Sequence, residues 1–152
     1  MTHTSNSVAQ TEQIGAALAS DLRGGECISL NGPLGAGKTQ FIRGLVAGVG
    51  GPVRRVCSPT FVLLNIYTGG RLTVYHLDAY RVTEATAADD FEGIGFSELL
   101  QQGGIVAVEW GERVRALLPA NCIEVTIDPI DSSNAQVTPL GRLISIERRV
   151  AP

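Results

Sequence analysis

Apolar positions recur along the chain at two different spacings, and each spacing predicts its own kind of element. Between Thr11 and Leu22, residues Ile14, Leu18 and Leu22 return every four positions, with Ala16, Ala17 and Ala19 between them. That is a helix, stopped by Gly24-Gly25. Cys27 to Leu30 is a short strand running into a glycine-rich loop, Gly32 to Gly37. A second helix follows from Lys38 to Val49, with Phe41, Ile42, Leu45 and Val46 facing the core, and Gly50-Gly51-Pro52 ends it. Phe61 to Tyr67 and Arg71 to Leu77 read as strands joined by a Gly69-Gly70 hairpin turn. Thr86 to Leu100 has helical character broken at Gly93 and Gly95. Ile105 to Val108 is apolar without alternation, which suits a parallel strand covered on both faces. Glu112 to Leu118 is a short helix ending before Pro119. Cys122 to Ile127 and Arg142 to Glu147 read as late strands, separated by a Pro-, Ser- and Asn-containing loop, Asp128 to Gly141.

This order predicts an α/β sandwich with a mixed sheet, a parallel core plus antiparallel strands. At 152 residues, with no repeat and no long linker, the chain reads as one domain, residues 1–152, with residues 1–10 expected to be disordered. Apolar residues make up 44% and charged residues 18%, which excludes wholesale disorder. A net charge of −3 excludes a protein that coats nucleic acid electrostatically. No apolar run approaches a membrane span, and Met1 to Thr11 lacks the basic start and apolar stretch of a signal peptide. Three scattered cysteines, Cys27, Cys57 and Cys122, form no metal spacing and suggest buried free thiols in a reducing cytoplasm.

The chemistry concentrates in a few blocks. Gly32-Pro33-Leu34-Gly35-Ala36-Gly37-Lys38-Thr39 matches the P-loop pattern in full, with a strand before it and a helix after it. Glycines there let backbone N–H groups approach phosphate oxygens, and the helix beginning at Lys38 adds its N-terminal dipole. Lys38 reaches the β- and γ-phosphates, and the Thr39 hydroxyl can ligand Mg²⁺. Eleven of the twelve basic residues are arginine, so Lys38 is the single lysine, at a position where a compact ammonium is needed. The fold class is therefore a P-loop NTPase sandwich. The apolar strand at Ile105 ends on Glu109, where such a protein keeps its second Mg²⁺ contact.

Other positions stay open on the residues alone. His76 and Asp78 alternate onto one face of their strand. Asp78 reads equally as a carboxylate that orients water and as a helix N-cap, and His76 reads as a satisfied surface histidine. Ser58-Pro59-Thr60 reads as a turn, although nucleotide switches carry a hydroxyl in this region. Trp110 is a partner anchor, part of a nucleotide site or core packing. Asp89, Asp90, Glu92 and Glu98 read as a solvated helix face.

Taken together, Gly32 to Thr39, Ser58-Pro59-Thr60, Tyr75-His-Leu-Asp-Ala-Tyr-Arg81 and Val108-Glu-Trp110 resemble, in order and spacing, the bacterial ATPases of tRNA threonylcarbamoyladenosine biosynthesis, the TsaE (YjeE) family. Thr11-Glu-Gln-Ile-Gly15 is similar to that family's N-terminal segment, which lies over the adenine. The resemblance runs from about Thr11 to Ile127. It implies a P-loop sheet with added antiparallel strands, and ATP or ADP with Mg²⁺ as cofactors. It also implies two sugar-kinase-like partners of the TsaB and TsaD families. One of them transfers the threonylcarbamoyl group to an adenosine beside the tRNA anticodon, so tRNA is met only indirectly. By position, the resemblance gives Thr39 and Glu109 to Mg²⁺, and Lys38 with Gly35, Ala36, Gly37 and Gln40 to the phosphates. Thr11 and Trp110 go to the nucleotide, Thr60 to the switch and Asp78 to the attacking water. Gln40 departs from a hydroxyl residue common in the family, Phe61 from a Tyr, and Ala79 from a bulkier apolar residue.

Two rival readings remain. A small P-loop kinase would carry an arginine-bearing lid, but the segment after Arg81 turns acidic through Glu84, Asp89 and Asp90. A nucleotide-gated adaptor would bind ATP or ADP and barely hydrolyse it.

Overall fold

A computed structural model of the chain describes residues 1–130 and 141–149. The chain opens with strand β1 (Thr2–Ser5), then helix α1 (Val8–Ser20), strand β2 (Cys27–Asn31) and helix α2 (Lys38–Gly48). The hairpin β3 (Leu64–Tyr67) and β4 (Val74–Asp78) follows, then α3 (Ala87–Gly93) and α4 (Phe96–Leu99). Strand β5 (Ile105–Glu109), a 3-10 segment (Gly111–Leu117), β6 (Ile123–Pro129) and β7 (Arg142–Arg148) complete it. The seven strands among the described residues form one sheet in the order β1-β7-β6-β2-β5-β4-β3. β6, β2, β5 and β4 run parallel, while β3, β7 and β1 pair antiparallel at the two edges. The mixed α/β sandwich expected from the sequence is the fold observed. Among the described residues, no helix is long and apolar enough to cross a membrane.

The central strands β2 and β5 are buried along almost their whole length because both their faces are covered. Ile28, Leu30, Ile105, Ala107 and Val125 face α1 and α2, where they meet Leu18, Leu22, Phe41, Ile42 and Leu45. Cys27, Val106 and Val108 face the other way, toward Phe91, Phe96 and Val114. The helices α1 and α2 pack backbone to backbone. A Cβ at Gly44 would run into the Glu12 carbonyl, and one at Gly15 into the Phe41 carbonyl. α1 begins earlier than its apolar period suggests, because Ser7 caps it by accepting from the Gln10 N–H at 3.1 Å, while the Gln10 side chain accepts from the Asn6 N–H at 2.6 Å. Its far end is closed from outside, by the Arg71 guanidinium donating to the Ala19 and Leu22 carbonyls, both at 2.9 Å.

Some expectations change. Residues 1–10, expected to be disordered, hold β1 and the first turn of α1; β1 needs no apolar pattern because it is an edge strand held by backbone pairing to β7. The strand expected from Phe61 begins only at Leu64. Pro59 opens a tight turn closed by the Leu63 N–H on the Pro59 carbonyl, and Leu63 sits at φ 68, so Phe61 and Val62 stay exposed. The helical stretch at 86–100 is broken at its glycines as expected, into α3 ending at Gly93 and α4 following Gly95, which takes φ 76°. Of the three free cysteines, Cys57 is exposed rather than buried. The loop expected between the last two strands lies mostly outside the described residues, at 131–140.

Candidate functional site

The carboxyl ends of β2, β4 and β5 and the N-terminus of α2 meet at one edge of the sheet. This is the usual location for ligands of open parallel sheets. β2 delivers the glycine-rich loop. Gly32, Gly35 and Gly37 have φ of 146°, 76° and 112°, conformations that a side chain would strain, and Gly37 leads directly into α2. The first N–H groups of α2 therefore point toward the loop, where an anion's oxygens can accept from them. A cleft of about 310 Å³ opens here, lined by residues 34–40 together with Ser58, Thr60, Asp78, Tyr80, Glu109 and Trp110. Every candidate residue lines it except Thr11. Thr11 borders an adjoining recess, which it shares with Gly35, Ala36, Gly37, Gln40 and Arg142.

Lys38 folds back on its own loop. Its ammonium donates to the Gly32 carbonyl at 2.7 Å and the Pro33 carbonyl at 2.9 Å, and sits 3.8 Å from the centre of the Trp110 ring. Burial holds its pKa below the usual lysine value, against the opposing pull of Glu109, Glu112 and Asp78. Trp110 takes φ 59° just past β5, which turns its ring across the loop and against Tyr80, with ring centres 5.1 Å apart. Of its open roles, this geometry puts the ring in the cleft.

Parallel register sets Asp78 of β4 beside Glu109 of β5. The Thr39 hydroxyl donates toward both Glu109 oxygens, at 3.1 and 3.0 Å. Glu109 is buried, and its second oxygen also meets His76 Nε2 at 2.5 Å. His76 is fully buried, which overturns the surface reading; its other nitrogen, Nδ1, lies 2.9 Å from the Tyr67 hydroxyl. Asp78 caps no helix, since α3 starts only at Ala87. Its Oδ1 accepts from the Tyr80 N–H at 2.8 Å, and its Oδ2 from the hydroxyls of Ser58 at 2.5 Å and Thr60 at 2.9 Å. The Ser58-Pro59-Thr60 turn thus exists as expected, with its hydroxyls aimed at a site carboxylate.

Sequence reasoning missed Tyr67 and Arg142, and gave the 58–60 hydroxyl role to Thr60 without Ser58. Arg142 on β7 donates to the Ala36 carbonyl at 2.8 Å and the Gly35 carbonyl at 3.3 Å, bracing the glycine loop. Nothing local marks it. Tyr67 was legible only through the hairpin, whose turn brings β3 back along β4. Asp89, Glu92 and Glu98 are exposed and Asp90 is half-buried, and they lie on α3 and α4 rather than on one helix face.

Residues 5–137 match the family model described as Threonylcarbamoyl adenosine biosynthesis protein TsaE. Three proteins named tRNA threonylcarbamoyladenosine biosynthesis protein TsaE are similar to this chain. That of Treponema pallidum is 37% identical over 134 residues, covering 88% of this chain and 96% of the relative. That of Nostoc is 39% identical over 142 residues (89% and 83%), and that of Bacillus subtilis 33% over 129 residues (85% and 78%). Among solved structures, Bacillus subtilis YdiB has the same fold, with a TM-score of 0.76 at 24% identity, over 99% of this chain and 86% of that one.

Proposed function

The chain belongs to the TsaE family of threonylcarbamoyl adenosine biosynthesis proteins, and from that membership we propose that it binds and hydrolyses ATP with Mg²⁺. In this reading hydrolysis supports threonylcarbamoyl transfer to a tRNA adenosine in the cytoplasm, together with partners of the TsaB and TsaD families. The observation that carries the nucleotide reading is the contact between Thr39 on the glycine loop's helix and the buried Glu109 at the end of β5. The donor set fits Mg²⁺, a hard cation that takes oxygen ligands and, beside a nucleotide, needs only one or two from protein. Bound there, Mg²⁺ would neutralise charge on the phosphate oxygens as the γ-phosphoryl leaves.

The protein's own groups do the rest. The loop N–H groups receive phosphate oxygens, and Lys38 exchanges the Gly32 and Pro33 carbonyls for them. Thr11, Gln40 and Trp110 border the cleft and its adjoining recess, on the nucleotide's path away from the loop. Asp78 orients the attacking water through the acceptor site that its Oδ1 keeps beside the Tyr80 N–H, since Oδ2 already accepts from Ser58 and Thr60. Oδ2 becomes available only if Ser58 or Thr60 moves, so partners that shift the 58–60 turn would raise turnover above that of the isolated protein. The same observation also supports the second reading, a nucleotide-gated adaptor.

ATP turnover measured with and without TsaB- and TsaD-family proteins separates these readings. The hydrolase reading expects partners to raise turnover and Asp78→Asn to lower the assembled rate by roughly 10²-fold, the scale of a lost general base. Turnover indifferent to Asp78→Asn in the complex would refute the water-orienting role. Nucleotide binding without partner-stimulated turnover would favour the adaptor.

A further inference from the structure

The site carboxylate Glu109 is the middle of a buried hydrogen-bonded chain that continues to a segment outside the glycine loop. Glu109 meets Thr39 on one side and His76 Nε2 on the other; His76 Nδ1 meets the Tyr67 hydroxyl; and Tyr67 meets the backbone of Cys57. Tyr67, His76 and Glu109 are 3%, 0% and 4% exposed, so solvent does not replace the two bonds among these three, while the end bonds to Thr39 and Cys57 are only part-buried. Among the described residues, no buried side-chain nitrogen or oxygen lacks a partner.

The Cys57 N–H, 3.2 Å from the Tyr67 oxygen, donates to it. The Tyr67 hydroxyl lies 2.9 Å from His76 Nδ1 and 3.1 Å from the Cys57 carbonyl, which also accepts from the Asn65 amide at 3.0 Å, so the one hydroxyl proton goes to one of these two acceptors. A neutral imidazole that accepts at Nδ1 carries its proton on Nε2 and gives that hydrogen bond to Glu109. Every group is then satisfied and Glu109 remains an acceptor. A carboxylate held this way has its oxygens oriented, as outer partners orient the ligands of metal sites.

We infer that Tyr67 and His76 are positioning residues: they hold Glu109 against Thr39 and couple that pair to the Cys57–Thr60 segment. The segment is tied at two points, by the Cys57 backbone to this chain and by Ser58 and Thr60 to Asp78. Movement of Glu109 as Thr39 turns away is therefore passed, through His76 and Tyr67, to the residues that occupy Asp78.

The inference rests on the nucleotide reading above, and its test can fail separately from that reading. Wild type, Tyr67→Phe, His76→Gln and the double variant are compared by three measurements. These are Mg²⁺-free ADP binding by calorimetry, Mn²⁺ binding to the ADP-saturated protein by electron paramagnetic resonance, and amide exchange at Cys57 without nucleotide. Phe keeps the ring and removes only the hydroxyl. Gln keeps an N–H for Glu109 but offers Tyr67 no ring nitrogen.

Mg²⁺-free ADP binding should be unchanged. Mn²⁺ affinity should fall about tenfold in either single variant, the scale of losing an outer partner of a metal ligand, and no further in the double. Exchange at Cys57 should quicken in His76→Gln, although residue 76 does not touch Cys57. Unchanged Mn²⁺ affinity in folded Tyr67→Phe, or losses that multiply in the double variant, would overturn the coupling. If wild type binds no ADP, the nucleotide reading fails by itself. Cys57 exchange then decides: faster in His76→Gln supports the coupling, and unchanged overturns it.

Discussion

Replacing Asp78 by Asn changes one atom's chemistry at a point where three donors converge. The Tyr80 N–H keeps its acceptor, because Asn retains Oδ1. At the Oδ2 position an amide now donates, so the Ser58 and Thr60 hydroxyls must rotate to accept, and both bonds become neutral. Hydrogen bonds to a charged group contribute about 1.5–3 kcal/mol and neutral ones about 1 kcal/mol, so each converted bond loses roughly 1 kcal/mol. Ser58 is exposed and water replaces part of its share, which brings the expected loss to about 1–2 kcal/mol. For a chain of this length that is a Tm lowered by about 3–6 °C. Thermal unfolding of the nucleotide-free protein, followed by circular dichroism, reads it directly. In a Ser58→Ala/Thr60→Ala background the same substitution should cost much less, because its partners are already gone. An Asp78→Asn protein that melts with wild type, or a cost undiminished in that background, would refute the claim that this carboxylate holds the 58–60 turn.

Three further outcomes follow from the same geometry. Gly44→Ala should destabilise by roughly 1–3 kcal/mol despite better helix propensity, because its Cβ meets the Glu12 backbone; Gly93→Ala, with open space around it, should be neutral or stabilising, and paired thermal melts give both signs. Thr39→Ala and Glu109→Ala should weaken Mg²⁺-dependent nucleotide binding more than Mg²⁺-free ADP binding by calorimetry, and equal losses under both conditions would remove the metal role. Since burial lowers the Lys38 pKa from 10.5, ADP affinity should begin to fall below that pH as the ammonium loses its proton. A calorimetric series from pH 7 to 10 tests this, and an affinity flat to pH 10 would count against it.

What the sequence reveals about the site is what lies close together along the chain. The glycine loop is legible because strand, loop and helix are consecutive, and Glu109 because an apolar strand runs straight into it. Asp78 and His76 are legible as a pair by strand alternation, but their partners are not. His76 owes its burial to Tyr67 across the β3–β4 hairpin and to Glu109 on β5, and only the register of those strands brings the three together. Arg142 reaches the glycine loop from more than a hundred residues away. At the N-terminus, polarity suggested disorder because an edge strand stabilised through its backbone leaves no mark in side-chain pattern, and the apolar period alone leaves out the Ser7–Gln10 cap. At Phe61 to Leu63 strand propensity lost to the turn opened by Pro59.

The central claim is that Gly32 to Thr39 binds a nucleotide through Lys38, and ADP titration by calorimetry into wild type and Lys38→Ala tests it most directly. The account predicts one saturable site in wild type and no measurable binding in Lys38→Ala, with the same circular dichroism spectrum for both proteins. Equal ADP affinity in the two would contradict it.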